Sequence, residues 1–280
     1  MDLQGKTAII TGASKGIGKA AAARLAAHGA NVVLAARTQS TLDATVAEIN
    51  AAGGGKALGV ACDVGKMEDL ENLVNTTKSE FGPVDILVNN AGVTSQFAFN
   101  EQPFEEFENL VHTNYLGYVR LIRLIINDMI ERKSGAIINS VSGSTLVDPI
   151  PRDFLVYSSL KHGLRKFLKG LFWSMRDHGI KVTTLLPGVT DSQLTDSLKD
   201  ITKQQKERLM DPETVVDMIM YALSVPANAC PLELAVINQQ TPWTKPTIDF
   251  KQKLADCEYC GENIEEVKKR NKVEGGVSNG

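Results

Sequence analysis

Tyr157 and Lys161 stand four residues apart in Tyr157-Ser-Ser-Leu-Lys161. On a helix that spacing puts a phenol and an ammonium on one face, where the cation is expected to lower the phenol's pKa and make it a usable acid or base near neutral pH. A Tyr-x-x-x-Lys tetrad alone says little. Here it follows, in order, a glycine-rich turn Thr11-Gly-Ala-Ser-Lys-Gly-Ile-Gly18, an Asn89-Asn-Ala-Gly92 run, a lone Asn114 and the serines Ser140, Ser142 and Ser144.

The glycine-rich turn directly follows an apolar run. Gly12 allows a tight turn, Gly16 lets the backbone approach a pyrophosphate, and Gly18 permits close packing of a new helix whose N-terminal N–H groups favour phosphate. The spacing Gly12-x-x-x-Gly16-x-Gly18 departs from the Gly-x-Gly-x-x-Gly of many dinucleotide folds, and a glycine turn after a strand can also be purely structural.

Elements that must position these residues alternate along the chain. Short apolar runs read as strands at Thr7–Ile10, Asn31–Ala36, Lys56–Cys62, Asp85–Asn89, Gly135–Ser140 and Ile180–Leu186, with a last strand at Leu232–Asn238. Between them, segments of helical period span Lys19–His28, Ser40–Ala52, Met67–Phe81, a long Pro103–Lys133 and the Tyr157–His178 helix that carries the tetrad. Continuously apolar strands separated by helices predict an α/β fold: one doubly wound Rossmann domain over residues 1–240, with a mainly parallel sheet covered by helices on both faces. From Thr241 onward prolines and then a Lys/Glu-rich run ending in Gly-Gly-Val-Ser-Asn-Gly mark residues 241–280 as a charged C-terminal extension, expected to serve assembly or pocket closure rather than cofactor binding.

In 280 residues, a hydrophobic fraction of 43% with 22% charged residues suits one globular domain with a sizeable core. The net charge of -3 provides no basic field for nucleic acid or an anionic membrane, so neither partner is expected. The N-terminal residues lead straight into a strand pattern and no apolar run reaches membrane-spanning length, so the expected location is the cytoplasm. Four cysteines are too few for a disulfide scaffold. His28, His112, His162 and His178 lack metal-ligand spacing, and Cys257-Glu-Tyr-Cys260 supplies half a zinc site without the other pair; no metal is expected.

The ordered set of motifs resembles the short-chain dehydrogenase/reductase family, of the NADP-preferring carbonyl reductase type, over Asp2 to Asn238. The family's phosphate motif matches Thr11 to Gly18, its adenine-contacting Asp matches Asp63 beside Val64, and its Asn-Asn-Ala-Gly matches Asn89 to Gly92. The resemblance implies Asn114, Ser142, Tyr157 and Lys161 as catalytic residues. It implies dinucleotide contacts from Gly12, Ser14, Lys15, Gly16, Ile17, Gly18, Asp63, Val64, Asn90, Ala91 and Gly92, from Tyr157 and Lys161, and from Pro187, Gly188, Val189 and Thr190. It also implies a homodimer or homotetramer, a small-molecule carbonyl or alcohol substrate, and a substrate lid over Asp191–Met210. Ser140 and Ser144 compete with Ser142, which the third polar position after the strand favours.

Two departures stand out. Ser142 lies two residues further from Tyr157 than the family commonly places it, because of the segment Val147-Asp-Pro-Ile-Pro-Arg-Asp-Phe154, which is expected to reshape the rim. Arg152 there is as well placed to meet an anionic substrate group as to be a solvated charge. The final strand runs into Gln-Gln-Thr-Pro-Trp instead of the family's Val-Asp-Gly-Gly. For the coenzyme, the second strand ends in Leu34-Ala-Ala-Arg37-Thr38 with no carboxylate to hold adenosine ribose hydroxyls or repel a 2′-phosphate. Arg37 and Lys15 predict NADP(H) in preference to NAD(H).

Overall fold

The structure is a computed structural model that describes residues 1–147, 150, 152–192, 195 and 203–240. Among the described residues seven strands form one sheet: β1 (Thr7–Thr11), β2 (Asn31–Ala36), β3 (Ala57–Ala61), β4 (Ile86–Asn89), β5 (Gly135–Ser140), β6 (Ile180–Pro187) and β7 (Glu233–Val236). All pair in parallel, in the order β3-β2-β1-β4-β5-β6-β7. The order reverses between β1 and β4, and in a doubly wound sheet ligands bind at the carboxyl ends of strands flanking that switch.

Alternation along the strands explains the two layers. Ile10, Val32, Leu34 and Ile138 face one core with Leu25, Leu42, Val215 and Ile219; Ile9, Val33, Leu87 and Ile137 face the other with Leu70, Leu73, Leu121, Leu164 and Leu168. The first layer is built by helices α1 (Gly16–Ala27), α2 (Gln39–Ala52) and α7 (Pro212–Ser224), the second by α3 (Met67–Phe81), α5 (Gly117–Arg132) and α6 (Leu155–Met175). Burial on both sides is why the strands read as unbroken apolar runs.

Several elements differ by a residue or two at their ends, and three differ more from the sequence expectation. Helix α1 begins at Gly16, not Lys19, so the end of the glycine-rich turn forms the start of the helix. The long helix expected over Pro103–Lys133 is α4 (Phe104–Val111), a π-helical turn at His112–Leu116, and then α5. One hydrogen-bond register is widened there, a feature periodicity does not report. The Tyr157 helix starts at Leu155 and ends at Met175, closing through a 3-10 turn Arg176–His178 and Gly179 at φ +71°. The extension 241–280, including Cys257 and Cys260, lies outside the described residues, as do Pro149 and Pro151 of the rim segment and much of the expected lid. No helix among the described residues is long and apolar enough to cross a membrane.

Gly18 is a tight joint between α1 and the turn that follows β1. A Cβ there would sit 2.3 Å from the Gly12 carbonyl oxygen and 2.9 Å from Ala13 Cα, both backbone atoms that cannot rotate away. Gly18→Ala is therefore expected to lower stability by about 1–3 kcal/mol, read as a fall in the urea midpoint at unchanged slope. An unchanged midpoint would show that the turn can yield.

Candidate active site

The carboxyl ends of β1 and β4 are knitted together by one hydroxyl. Thr11 Oγ1 accepts from the Asn90 N–H at 2.9 Å and the Ala91 N–H at 3.0 Å, and Asn90 Nδ2 donates to the Thr11 carbonyl at 3.1 Å. Gly12, at φ +66°, fits beneath this loop: a Cβ would lie 2.9 Å from Ala91 Cα. Sequence reading took Thr11 only as the start of the glycine motif and missed this role.

Helix α1 opens with no acidic residue in its first turn, and Lys15 at its N-cap makes no side-chain cap. A helix N-terminus without an acidic first turn is electrostatically suited to an anion. Gly16 faces Ser192, whose Cβ would be 3.2 Å from an added methyl, so the segment after β6 approaches the same turn. Lys15 and Arg37 are exposed, Ser14 and Ile17 half-buried. Asp63 accepts from the Gly65 N–H at 2.9 Å while its own N–H donates to Asp69 Oδ2 at 2.8 Å, and Val64 is buried. These residues gather at the carboxyl ends of β1, β2 and β3, with no carboxylate at the end of β2.

Across the sheet, the π-helical turn places Asn114 fully inside. Its Nδ2 donates to the Val93 carbonyl at 2.9 Å and its Oδ1 accepts from the Val93 N–H at 3.2 Å, locking the loop after Gly92. A Cβ on Gly92 would come within 3.1 Å of Asn114 Oδ1 and 3.9 Å of Lys161 Nζ, so the glycine keeps that gap open. Thr94 Oγ1 in the same loop is buried with no hydrogen-bond partner among the described residues.

Tyr157 and Lys161 lie on one face of α6, 8% and 2% exposed. Lys161 Nζ donates to the Ser140 carbonyl at 3.4 Å, 4.9 Å from the Tyr118 ring centre and 5.8 Å from that of Tyr157. Tyr118, missed in the sequence, donates its hydroxyl to the same Ser140 carbonyl at 2.9 Å. Its signal was available as a phenol four residues after Asn114, but it reads there as one more large residue in an apolar helix.

Ser142 Oγ accepts from the Ser144 N–H at 3.0 Å, and the Ser142 side chain lies close enough to the Tyr157 phenol to pull its pKa down. Of the three competing serines, Ser142 is therefore the one beside the phenol. Ser140 contributes its carbonyl, and the buried Ser144 hydroxyl has no hydrogen-bond partner among the described residues. Gly188 N–H donates to the Val236 carbonyl at 2.8 Å, and Val189 is held by Asn238 on both its N–H and its carbonyl, each at 2.8 Å. Thr190 is buried, bonding the Gly188 carbonyl at 3.1 Å. Asn238 stands where the departure from Val-Asp-Gly-Gly left no expectation. Of the rim segment, Arg152 is exposed and Phe154 packs edge-on against Tyr157, 6.4 Å between ring centres.

Electrostatics correct one expectation. The Tyr157 phenol is raised, not lowered: burial disfavours the phenolate and outweighs the hydrogen bond from Ser142 that pulls the other way. The same dry surroundings disfavour the ammonium, bringing Lys161 from 10.5 to about 7. Tyr118 is raised by burial too, and the Cys62 thiol is pushed up to about 12, which leaves it protonated.

Comparison with known proteins places this arrangement. The family model described as short chain dehydrogenase matches residues 6–203. The 3-oxoacyl-[acyl-carrier-protein] reductase of Vibrio cholerae is 32% identical over 230 residues, 80% of this chain and 92% of that protein. The solved structure of L-sorbose reductase from Gluconobacter frateurii, complexed with NADPH and L-sorbose, superposes with a TM-score of 0.76 at 28% identity, covering 88% of this chain and all 100% of that one. A metagenomic short-chain oxidoreductase in complex with NADP gives 0.73 at 28% identity, over 86% of this chain and 100% of the other.

Burial of Lys161 has a pH signature in stability. Below about pH 7 both folded and unfolded chains hold the proton, and the full cost of burying the charge is present. From about 7 to 10.5 the unfolded chain binds more protons, so stability rises with pH; above that window the cost is gone. Lys161→Met is expected to be more stable than the parent at about pH 6 by on the order of a few kcal/mol, at about 1.4 kcal/mol per pKa unit. The difference should shrink towards about pH 10. Thermal unfolding of both proteins across that range checks it, and a pH-independent difference would contradict it.

Proposed function

Because this chain belongs to the short-chain dehydrogenase family, we propose that it is an NADP(H)-dependent oxidoreductase interconverting a small-molecule carbonyl compound and its alcohol. The observation that carries the reading is the buried pair Tyr157 and Lys161 with the half-buried Ser142 beside them, across the switch point from the N-terminus of α1. Bound dinucleotide supplies or accepts the hydride at C4 of its nicotinamide. Gly12, Ser14, Gly16, Ile17 and Gly18 hold the pyrophosphate, Asp63 and Val64 the adenine, and Asn90, Ala91, Gly92 and Pro187–Thr190 the nicotinamide half, with the ribose on Tyr157 and Lys161. Lys15 and Arg37 receive the 2′-phosphate, which supports NADP(H) over NAD(H).

In the reducing direction Tyr157 Oη delivers the proton to the carbonyl oxygen while Ser142 Oγ donates a hydrogen bond to it as negative charge builds. The raised phenol pKa keeps Tyr157 protonated and so poised as an acid. Lys161 stabilises the phenolate that remains, and Asn114 fixes the Val93 loop beside it and passes protons to solvent through water. A 3-oxoacyl thioester is the second reading of the substrate, favoured by the likeness to the Vibrio cholerae reductase. A catalytically silent nucleotide-sensing role is disfavoured by the intact Ser142, Tyr157 and Lys161. A homodimer or homotetramer completes the proposal.

NADPH oxidation across a panel of ketones, aldehydes and 3-oxoacyl thioesters tests the reaction. Replacing Lys15 and Arg37 together by Ala should weaken NADPH about ten- to a hundredfold and NADH far less. Tyr157→Phe should cut kcat at least about a hundredfold while leaving NADPH affinity nearly intact. Equal losses of the two coenzymes, or near-normal turnover with Phe, would contradict the corresponding assignment.

A further inference from the structure

Tyr157, Lys161 and Arg165 follow one another at intervals of four along α6, so the stripe that carries the phenol and the ammonium continues into a guanidinium. Arg165 uses its whole fork. Nε donates to Glu233 Oε1 at 2.7 Å and Nη2 to Glu233 Oε2 at 2.8 Å, a bidentate pair with β7. Nη1 donates to the Thr145 carbonyl at 2.8 Å. Glu233 is registered against Thr184 of β6, so the carboxylate is fixed by the sheet.

Thr145 sits in the short 3-10 turn Gly143–Leu146, and that turn holds Ser142. The Thr145 N–H and hydroxyl both donate to the Ser142 carbonyl, at 3.2 and 2.9 Å, and the Ser144 N–H donates to Ser142 Oγ at 3.0 Å. Gly143 is wedged against the ends of β6 and β7, where a Cβ would meet the Pro187 carbonyl oxygen at 3.0 Å and Ile237 Cδ1 at 2.7 Å. A chain of contacts thus runs from β7 through Glu233, Arg165 and Thr145 to Ser142. We propose that Arg165 is a positioning residue for Ser142: anchored by Glu233, it clamps the serine-bearing turn to α6 and so sets the Ser142 hydroxyl against the Tyr157 phenol.

A half-exposed ion pair contributes little to stability by itself. The third donor, aimed at Thr145 rather than at water, is what a planar fork can supply at the same time and a lysine cannot. The pair also reinforces itself: Arg165 holds the Glu233 carboxyl below its usual value, and Glu233 holds the guanidinium's pKa up. This inference rests on the reading of Ser142 and Tyr157 as the groups that handle the carbonyl oxygen, and the test separates the two.

Ser142→Ala and Arg165→Met are made singly and together. The chain has five tyrosines, so ζ-carbon-labelled tyrosine gives few NMR signals, and Tyr157→Phe identifies that of Tyr157. In the ligand-free protein Ser142→Ala should displace the Tyr157 signal, Arg165→Met should displace it the same way, and the double variant should match Ser142→Ala alone. With a carbonyl substrate, Arg165→Met should lower kcat about tenfold with little change in KM, Arg165→Lys should recover part, and Arg165→Met should cost nothing further once Ser142 is Ala.

An unmoved Tyr157 signal in folded Arg165→Met, or effects that simply add in the double variant, would overturn the proposal. Should Arg165→Met not fold, Glu233→Gln must produce a smaller displacement of the same sign that vanishes with Ser142→Ala, and no displacement would overturn it equally. A chain that turns over no carbonyl contradicts the proposed function, while the NMR comparison still decides the role of Arg165.

Discussion

An ammonium group buried at the carboxyl edge of a parallel sheet is the constraint around which this site is arranged. Lys161 has for company the Ser140 carbonyl and the faces of Tyr118 and Tyr157, and removal from water alone accounts for its fall to about 7. Taking a charge out of water is costly unless partners replace the solvent. The neighbouring features follow from that need. Tyr118 orients the Ser140 carbonyl, Gly92 leaves the gap in front of Nζ free of a side chain, and Asn114 ties down the loop that borders it. The same dryness that lowers the lysine raises Tyr157, so the two groups are matched in the form of a neutral acid beside a weakly charged base.

Around that pocket the sheet is finished by side chains that each join two segments. Thr11 sews the glycine turn to the Asn90–Ala91 loop. Asn238 holds Val189 at both ends of its peptide and also donates to the Arg208 carbonyl at 2.9 Å. Arg165 joins the Ser142 turn to β7. All three work at loop level, where backbone groups past the last strand pair would otherwise lack partners. Each replaces a ladder hydrogen bond the strand can no longer supply.

How much of this could be read in the sequence depended on range. Strands Asn31–Ala36 and Gly135–Ser140 and helix Met67–Phe81 have the bounds their apolar period indicated, because burial on both faces writes itself into consecutive residues. Gly12, Gly18, Tyr157 and Lys161 were legible because glycine and the four-residue interval encode geometry locally. The π-helical turn was not, since one widened register leaves the residue pattern nearly unchanged. Tyr118, Arg165 and Asn238 were missed for a different reason: their partners lie 22, 68 and 49 residues away, at Ser140, Glu233 and Val189. The sign of the Tyr157 shift failed likewise, because spacing shows that a lysine is near but not that water is absent.

The direct test is the titration of the Lys161 ammonium itself in the ligand-free chain, followed by NMR of ε-carbon-labelled lysine with Lys161 identified by Lys161→Met. A midpoint near 7 is the result expected from its burial. A midpoint for Lys161 at the ordinary value of about 10.4 would mean that the group is solvated, and would contradict the account of the site as one arranged around a buried charge.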